Sequence, residues 1–342
     1  MHLVGHLVST RFRRAITALA ATAAVALSGP AAAEGTIRIA EQFGIGYLPL
    51  HVMRHQQLIE KQGKAQGLDI KVEWAQFSGG PAMNDALLSD SIDLASGGVG
   101  PLLTIWDRTK GNANVKAIGA LNSMPLFLTT NNPNVKSIKD FTDKDKIALP
   151  AVKVSVQART LQMAAEQAFG EGKFDVMDKF TVSLPHPDAT AALLSGGSEI
   201  TGHLSSPPFQ YQQLENPKIR KVLSSYDVLG GPHTFNLIWS KDAFRTKNPK
   251  TYAAFVAALR EAMDLINKDH ALAATAYLAI NKGDLDKGFV EKILNDPDIQ
   301  FSVAPKNMGK YAEFMHKAGA IKNKPASWKE YFFEDVHGES GS

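Results

Sequence analysis

Residues 77–101 constrain this chain more than any other stretch. Phe77-Ser78-Gly79-Gly80-Pro81 leads into an alanine- and leucine-rich run at 82–89. Ile92-Asp93-Leu94-Ala95 follows, and then Ser96-Gly97-Gly98-Val99-Gly100-Pro101. The pattern reads as loop, helix, short strand, loop and the start of a second helix. Proline suits a first helical position because its missing N–H would be unpaired there anyway, and glycines before it let backbone approach another group closely. Free N–H groups at a helix start favour an anion. The stretch therefore offers two such ends, with no strong catalytic side chain beside them.

The pattern has an echo. Pro81 precedes Ala86, Leu87, Leu88 and Ser89, and Pro187 precedes Ala192, Leu193, Leu194 and Ser195 at the same offsets. Two ordinary helices with a similar apolar face would produce this match. So would two similarly built lobes, each presenting a loop and a helix start to a shared cleft. A chain of 342 residues exceeds what one core usually holds, which favours two domains.

The N-terminus indicates export. Arg11, Arg13 and Arg14 precede a short apolar run at 15–27, a Ser28-Gly29-Pro30 break, and Ala31-Ala32-Ala33, a small-residue cleavage site. The run is too short to span a bilayer comfortably. Arg13-Arg14 suggests the twin-arginine route, but Ala15-Ile16-Thr17 continues that signal poorly. With no cysteine, disulfides, thiolate metal sites, cysteine nucleophiles and a lipoprotein anchor are all excluded. The formal charge of +3 includes those three arginines, and no acid precedes Glu34, so the chain after residue 33 is near neutral. A nucleic-acid partner has no electrostatic footprint here.

Strand and helix signals alternate along the chain, as in an α/β sheet whose ligands sit at the carboxyl ends of its strands. Residues 36–40 read as a strand, 48–61 as a helix, 68–74 as a strand and 115–121 as another. After an extended crossing near 122–130 the rhythm restarts. Strands are expected at 146–150, 180–184, 199–203 and 221–225, and helices after Ser155, Pro187 and Pro208. Residues 234–240 read as a return crossing. Tyr252, Phe255, Val256, Leu259, Met263 and Ile266 then form a stripe at helical spacing. Helices near 270–280, 286–294 and 306–318 follow, packing on the first lobe. Residues 338–342 read as a frayed end.

Few side chains suggest chemistry. His51 and His55 are four apart, a spacing that can hold zinc, but no third ligand is nearby, so they read as a solvated pair. Asp85, Asp90 and Asp93 read as solvated or capping. There is no nucleophile elbow and no phosphate-binding lysine loop. His186, His203 and His233 each sit in a loop or at a strand end, as candidates to touch a ligand. Lys153 precedes a helix start, and Ser155 is a good N-cap. Phe43, Tyr47, Phe77 and Phe209 could wall a site or fill a core.

Taken in order, these residues resemble the periplasmic substrate-binding proteins of ABC importers, in the nitrate, sulfonate and taurine group. The likeness rests on Gly46-Tyr47-Leu48-Pro49, on Ala86-Leu87-Leu88-Ser89 with Ile92-Asp93-Leu94-Ala95 and Gly97-Gly98, on the Ala192 to Gly196 echo, and on His203-Leu204-Ser205-Ser206-Pro207-Pro208. The resemblance implies a type II two-lobe α/β binding protein, each lobe a mixed sheet flanked by helices, joined by two crossing strands. Residues 34–122 and 238–342 would form one lobe and 123–237 the other. It implies closure on a small organic anion, delivery to the transmembrane subunits of a permease, no cofactor, no membrane anchor, a monomer, and no enzymatic activity. Ligand contacts would come from Phe43, Tyr47, Ser78, Gly79, Gly80, Gly98, Lys153, Ser155, His186, His203, Ser205 and His233. No arginine falls in an expected cleft loop, and Asp90 stands where many relatives carry glycine. Some relatives bind pyrimidine precursors of thiamin, which would favour stacking on Phe43, Tyr47 and Phe77. A related synthase branch needs a cysteine-rich motif that this chain lacks. An exported enzyme using His186 with Asp188 is the remaining alternative. Mass spectrometry of the exported protein should find Glu34 as its first residue; a retained leader would refute the cleavage assignment.

Overall fold

The alternating signals resolve, in a computed structural model that describes residues 34–342, into two five-stranded mixed sheets. The leader and its cleavage point lie outside the described residues. The first run of elements is β1 (Thr36–Glu41), α1 (Leu48–Gln56), α2 (Leu58–Ala65), β2 (Lys71–Gln76), α3 (Gly80–Leu88), β3 (Leu94–Gly98), α4 (Val99–Thr109) and β4 (Val115–Ala120). The second is β5 (Phe127–Thr130), β6 (Lys146–Leu149), α5 (Val156–Phe169), β7 (Thr181–Ser183), α6 (His186–Ser195), β8 (Ile200–Ser205), α7 (Phe209–Leu214), β9 (Arg220–Ser224) and α8 (Ser225–Leu229). The chain closes with β10 (Asn236–Lys241), α9 (Asp242–Lys247), α10 (Pro249–Lys268), α11 (His270–Ile280), α12 (Lys287–Leu294) and α13 (Gly309–Lys317).

The sheets share one plan. The first runs β2-β1-β3-β10-β4 and the second β7-β6-β8-β5-β9. In each, three parallel strands are followed by one that is antiparallel to both its neighbours. That odd strand comes from a crossing: β5 opens the second sheet, and β10 returns to the first. α3 joins β2 to β3, and α6 joins β7 to β8, so the echoed helices occupy equivalent places. The repeat in sequence is thus a repeat in structure.

A third segment runs beside the two crossings. Ser123 exchanges backbone hydrogen bonds with Gln300 at 2.8 and 2.9 Å, Ala120 N–H donates to the Val303 carbonyl, and Thr234 N–H donates to that of Lys306. α13 then packs on both α4 and α5. The carboxyl-terminal arm therefore touches both sheets' helices, whereas it was expected to pack on the first lobe alone. α10 and α11 do pack there, against α1 and α2.

Several local expectations are corrected. The helix at 48–61 breaks at Gln57, whose φ of 52° is left-handed. Ser96, Gly97 and Gly98 belong to β3, not to a loop, because β3 is central and buried along its whole length. A Cβ at Gly97 would lie 3.1 Å from the ring of Trp239 and 2.8 Å from the Gln42 amide, so the glycine admits those side chains. Trp239 is fully buried and donates its indole N–H to Asn84 Oδ1 at 3.1 Å. The Asn84 amide donates to the Pro101 carbonyl, tying the starts of α3 and α4 to the sheet.

The acidic trio separates. Asp93 pairs with Arg38 at 2.7 Å and also accepts from its backbone N–H. Asp90 pairs with Lys241 and has a φ of 59°, which explains glycine as the ordinary occupant of that position. Asp85 stays exposed. Residues 338–342 are not frayed. Ser342 donates its N–H to the Pro305 carbonyl and accepts from Met308 N–H, and Gly341 lies against Trp328. Deleting residues 338–342 should destabilise the protein by about 1–3 kcal/mol, for the lost hydrogen bonds and packing, measurable by urea unfolding. An unchanged midpoint would restore the frayed reading.

Candidate functional site

The two sheets meet at the carboxyl ends of their strands, and they meet tightly. Ile45 N–H donates to the Pro207 carbonyl at 3.0 Å across the seam. A Cβ at Gly98 would lie 2.5 Å from the Val156 side chain, and one at Gly100 2.6 Å from the Val154 carbonyl oxygen. These glycines let the loop before α5 settle on the start of α4, a contact any side chain would hold open.

At the centre of the seam lies a cavity of about 20 Å³, lined by Gln42, Phe43, Tyr47, Gly80, Gly98, Pro101, Pro150, Ser155, Val156, Gln157, His186 and Phe235. That is room for roughly one water-sized group. Five helices begin around it. Tyr47 is the N-cap of α1, Gly80 opens α3, Gly98 caps α4, Ser155 caps α5 and His186 opens α6. Their N-terminal N–H groups and dipoles favour negative charge. The lining holds no acid to oppose it. Burial pushes the Tyr47 hydroxyl well above its ordinary range, so it keeps its proton.

His186 is backed by a buried chain of polar groups. Its Nε2 lies 3.2 Å from Gln157 Nε2, and its Nδ1 lies 2.8 Å from His203 Nε2. His203 Nδ1 lies 2.6 Å from Gln213 Nε2, and Gln213 also contacts Thr190 and Thr129. Phe209 stacks on the His186 ring. Burial lowers the pKa of His186 to about 3 and holds His203 well below the ordinary histidine value, with the neighbouring His186 adding to the effect. Both are neutral near pH 7, so His186 acts as a hydrogen-bonding group and not as a cation.

Of the residues expected at a ligand, Phe43, Tyr47, Gly80, Gly98, Ser155 and His186 line this cavity. Gly79 is buried just outside it, its Cβ position 3.2 Å from the Pro150 carbonyl oxygen. Ser78 and Lys153 are exposed. His203 stands behind His186. Ser205 is buried away from the lining, with an unpaired hydroxyl. His233 belongs to the crossing region: its Nε2 faces Ser225 Oγ at 2.7 Å, its Nδ1–H donates to the Thr234 carbonyl, and it packs between Tyr226 and Tyr311. Burial lowers its pKa to about 4. Gln42 and Gln157 escaped the sequence reading. Gln157 had one available signal, its place two residues after the N-cap Ser155.

A wider chamber of about 680 Å³ adjoins at Phe43, walled by Trp74, Phe209 and Tyr277. At one side sits buried Glu41, 3.3 Å from His51 Nε2 and 3.8 Å from Arg54 Nη1, with Arg54 over the Trp74 ring. His51 is therefore buried, not solvated, while His55 is exposed. Among the described residues no group of three histidine or acidic side chains is placed to hold a metal, and no helix is long and apolar enough to cross a membrane.

Two mirrored mixed sheets, closed on each other over a cluster of helix starts, define the periplasmic binding-protein fold. Residues 40–280 match the model of the NMT1-like family, and the chain belongs to that family. No curated protein sequence matches it. Similar solved structures include the alkanesulfonate-binding protein SsuA from Xanthomonas axonopodis pv. citri bound to MOPS, with TM-score 0.67 and 18% identity over 86% of this chain and 96% of that one. The aliphatic sulphonate-binding protein SsuA from Escherichia coli gives 0.64 and 18% over 91% and 96%. The nitrate-binding protein NrtA from Synechocystis PCC 6803 gives 0.67 and 15% over 87% and 84%. The likeness to nitrate- and sulfonate-binding proteins read from the sequence thus holds at the level of fold.

The neutral histidines carry a consequence for stability. Their folded pKa values lie below the unfolded value of about 6.5, so the unfolded chain binds more protons between those limits. Stability is fully present above about pH 6.5 and falls as pH drops toward 3–4, by about 1.4 kcal/mol per pH unit for each such histidine. Melting temperature should decline below pH 6.5, and His233→Phe should flatten that decline. An unaltered acid slope in the variant would refute the assignment.

Proposed function

We propose that this protein is the solute-binding component of an ABC importer, working outside the cytoplasm and delivering a small organic anion, such as a sulfonate, a nitrate-like ion or a small carboxylate, to a membrane permease. Residues 34–122 with 238–342, and residues 123–237, serve as the two lobes that close on it. The observation that carries this reading is the convergence of five helix starts on an acid-free cavity between the sheets. Helix N-termini, Ser155, Gln157 and neutral His186 supply hydrogen bonds to an oxyanion without a full countercharge. The cavity is too small to admit such a ligand through a shut seam, so uptake and release require the halves to part. The ligand stabilises the closed state by touching both.

The aromatic chamber at Trp74, Phe209 and Tyr277 favours a second reading, a heteroaromatic solute held by stacking. The enzyme alternative loses its pair: the His186 ring nitrogens face Gln157 and His203, and Asp188 is not a partner.

A thermal-shift screen of the chain from Glu34 onward would test both readings, with nitrate, taurine, methanesulfonate, small carboxylates and pyrimidines as probes. A ligand at one hundred times its Kd should stabilise by about 2.7 kcal/mol. The anion reading expects a shift with one anion class, and a loss of about tenfold or more in affinity in His186→Phe, which keeps the stack on Phe209. Shifts with pyrimidines alone would install the second reading, and no shift at all would overturn both.

A further inference from the structure

The contacts Gln157–His186–His203–Gln213 cannot all hold as they stand. At both ends an amide NH₂ faces a ring nitrogen. Each neutral imidazole carries one proton. If both amides donated, His186 and His203 would each hold a proton on the nitrogens that face each other at 2.8 Å, and those protons would collide. The chain must therefore run in one direction, and one end decides it.

The inner end is the better fixed. Gln213 Nε2 reaches Thr190 Oγ1 at 2.9 Å, a normal N–H···O length, and its Oε1 accepts from the Thr129 hydroxyl at 2.7 Å, a normal O–H···O length. Reversing the amide would exchange those chemistries against the lengths. Gln213, Thr129 and His203 are all fully buried, so water cannot repair a mismatch. The outer contact, Gln157 to His186, is the longest at 3.2 Å and borders the cavity.

We propose that Gln213 is a positioning residue that, through His203, holds His186 as the Nε2–H tautomer, so that His186 and Gln157 present a paired hydrogen-bond donor to the cavity. The direction follows link by link. Gln213 donates to His203 Nδ1, which leaves the His203 proton on Nε2. That proton goes to His186 Nδ1, which leaves the His186 proton on Nε2. Two donors then lie side by side, both more than nine-tenths buried, with no acceptor between them. The group that completes the pair is an acceptor, and the oxygen of a fully deprotonated oxyanion fits it. A ligand presenting a proton at this point meets two donors and is rejected. The ligand class rests on the anion reading above; the tautomer does not.

Long-range proton–nitrogen NMR of the ¹⁵N-histidine-labelled chain at pH 7 tests the tautomer directly. Both His186 and His203 should show neutral rings protonated at Nε2. A proton on His186 Nδ1, or an imidazolium, would overturn the proposal whatever the protein binds. Titration with nitrate and with methanesulfonate should move the His186 Nε2 signal. In Gln213→Met, the His203 tautomer should become mixed and affinity for the responding anion should fall by about three- to tenfold. A mixed tautomer with undiminished affinity would overturn the role of Gln213 in binding. An Nε2–H ring that no tested anion perturbs would sink the anion reading while upholding the donor polarity. If Gln213→Met does not fold, the wild-type spectrum alone still decides the tautomer.

Discussion

Backbone lies directly against side chain and backbone where the two sheets meet, and the rest of the site depends on that contact. Val154 and Val156 approach the start of α4 only because positions 98 and 100 lack side chains. The approach brings Ser155, the N-cap of α5, opposite the starts of α3 and α4. Without it, the helix ends would face solvent, where their dipoles are worth little. The seam excludes water and the lining excludes acids, so the partial charges of several helices act on one small volume.

Much of the architecture was legible in the sequence because its signals are local. The alternation in β1, the Gly-Pro helix starts, the Ser155 cap and the stripe of α10 each report on nearby backbone. The echo between 81–89 and 187–195 foretold that β2-α3-β3 and β7-α6-β8 are equivalent. The glycines at 96–100 were harder. They read as an open loop, yet Gly97 makes room for Trp239, some 140 residues later, and Gly98 for Val156. A glycine's purpose is set by what approaches it, and the approaching residue is distant in the chain.

The histidines show the same limit. His51, His186, His203 and His233 look alike in sequence, yet each has a different setting. His51 lies against a buried carboxylate, His186 borders the cavity, His203 stands behind it and His233 braces the crossing. Burial, not neighbouring residue type, separates them. Gln157 and Gln213 were passed over because glutamine is usually a surface residue. Here both are buried and paired, so each amide has a fixed sense.

The strand order has a consequence for the order of assembly. β10 lies between β3 and β4, but it is made last of all the strands. As the chain emerges amino-terminus first, β1, β2 and β3 can pair while β4 still lacks its only strand neighbour. The second sheet is different. All five of its strands are contiguous in sequence, so it can close before the first is complete. A nascent chain would thus carry one finished sheet and one unfilled gap, and that gap exposes the strand edges of β3 and β4 until residues 236–241 arrive.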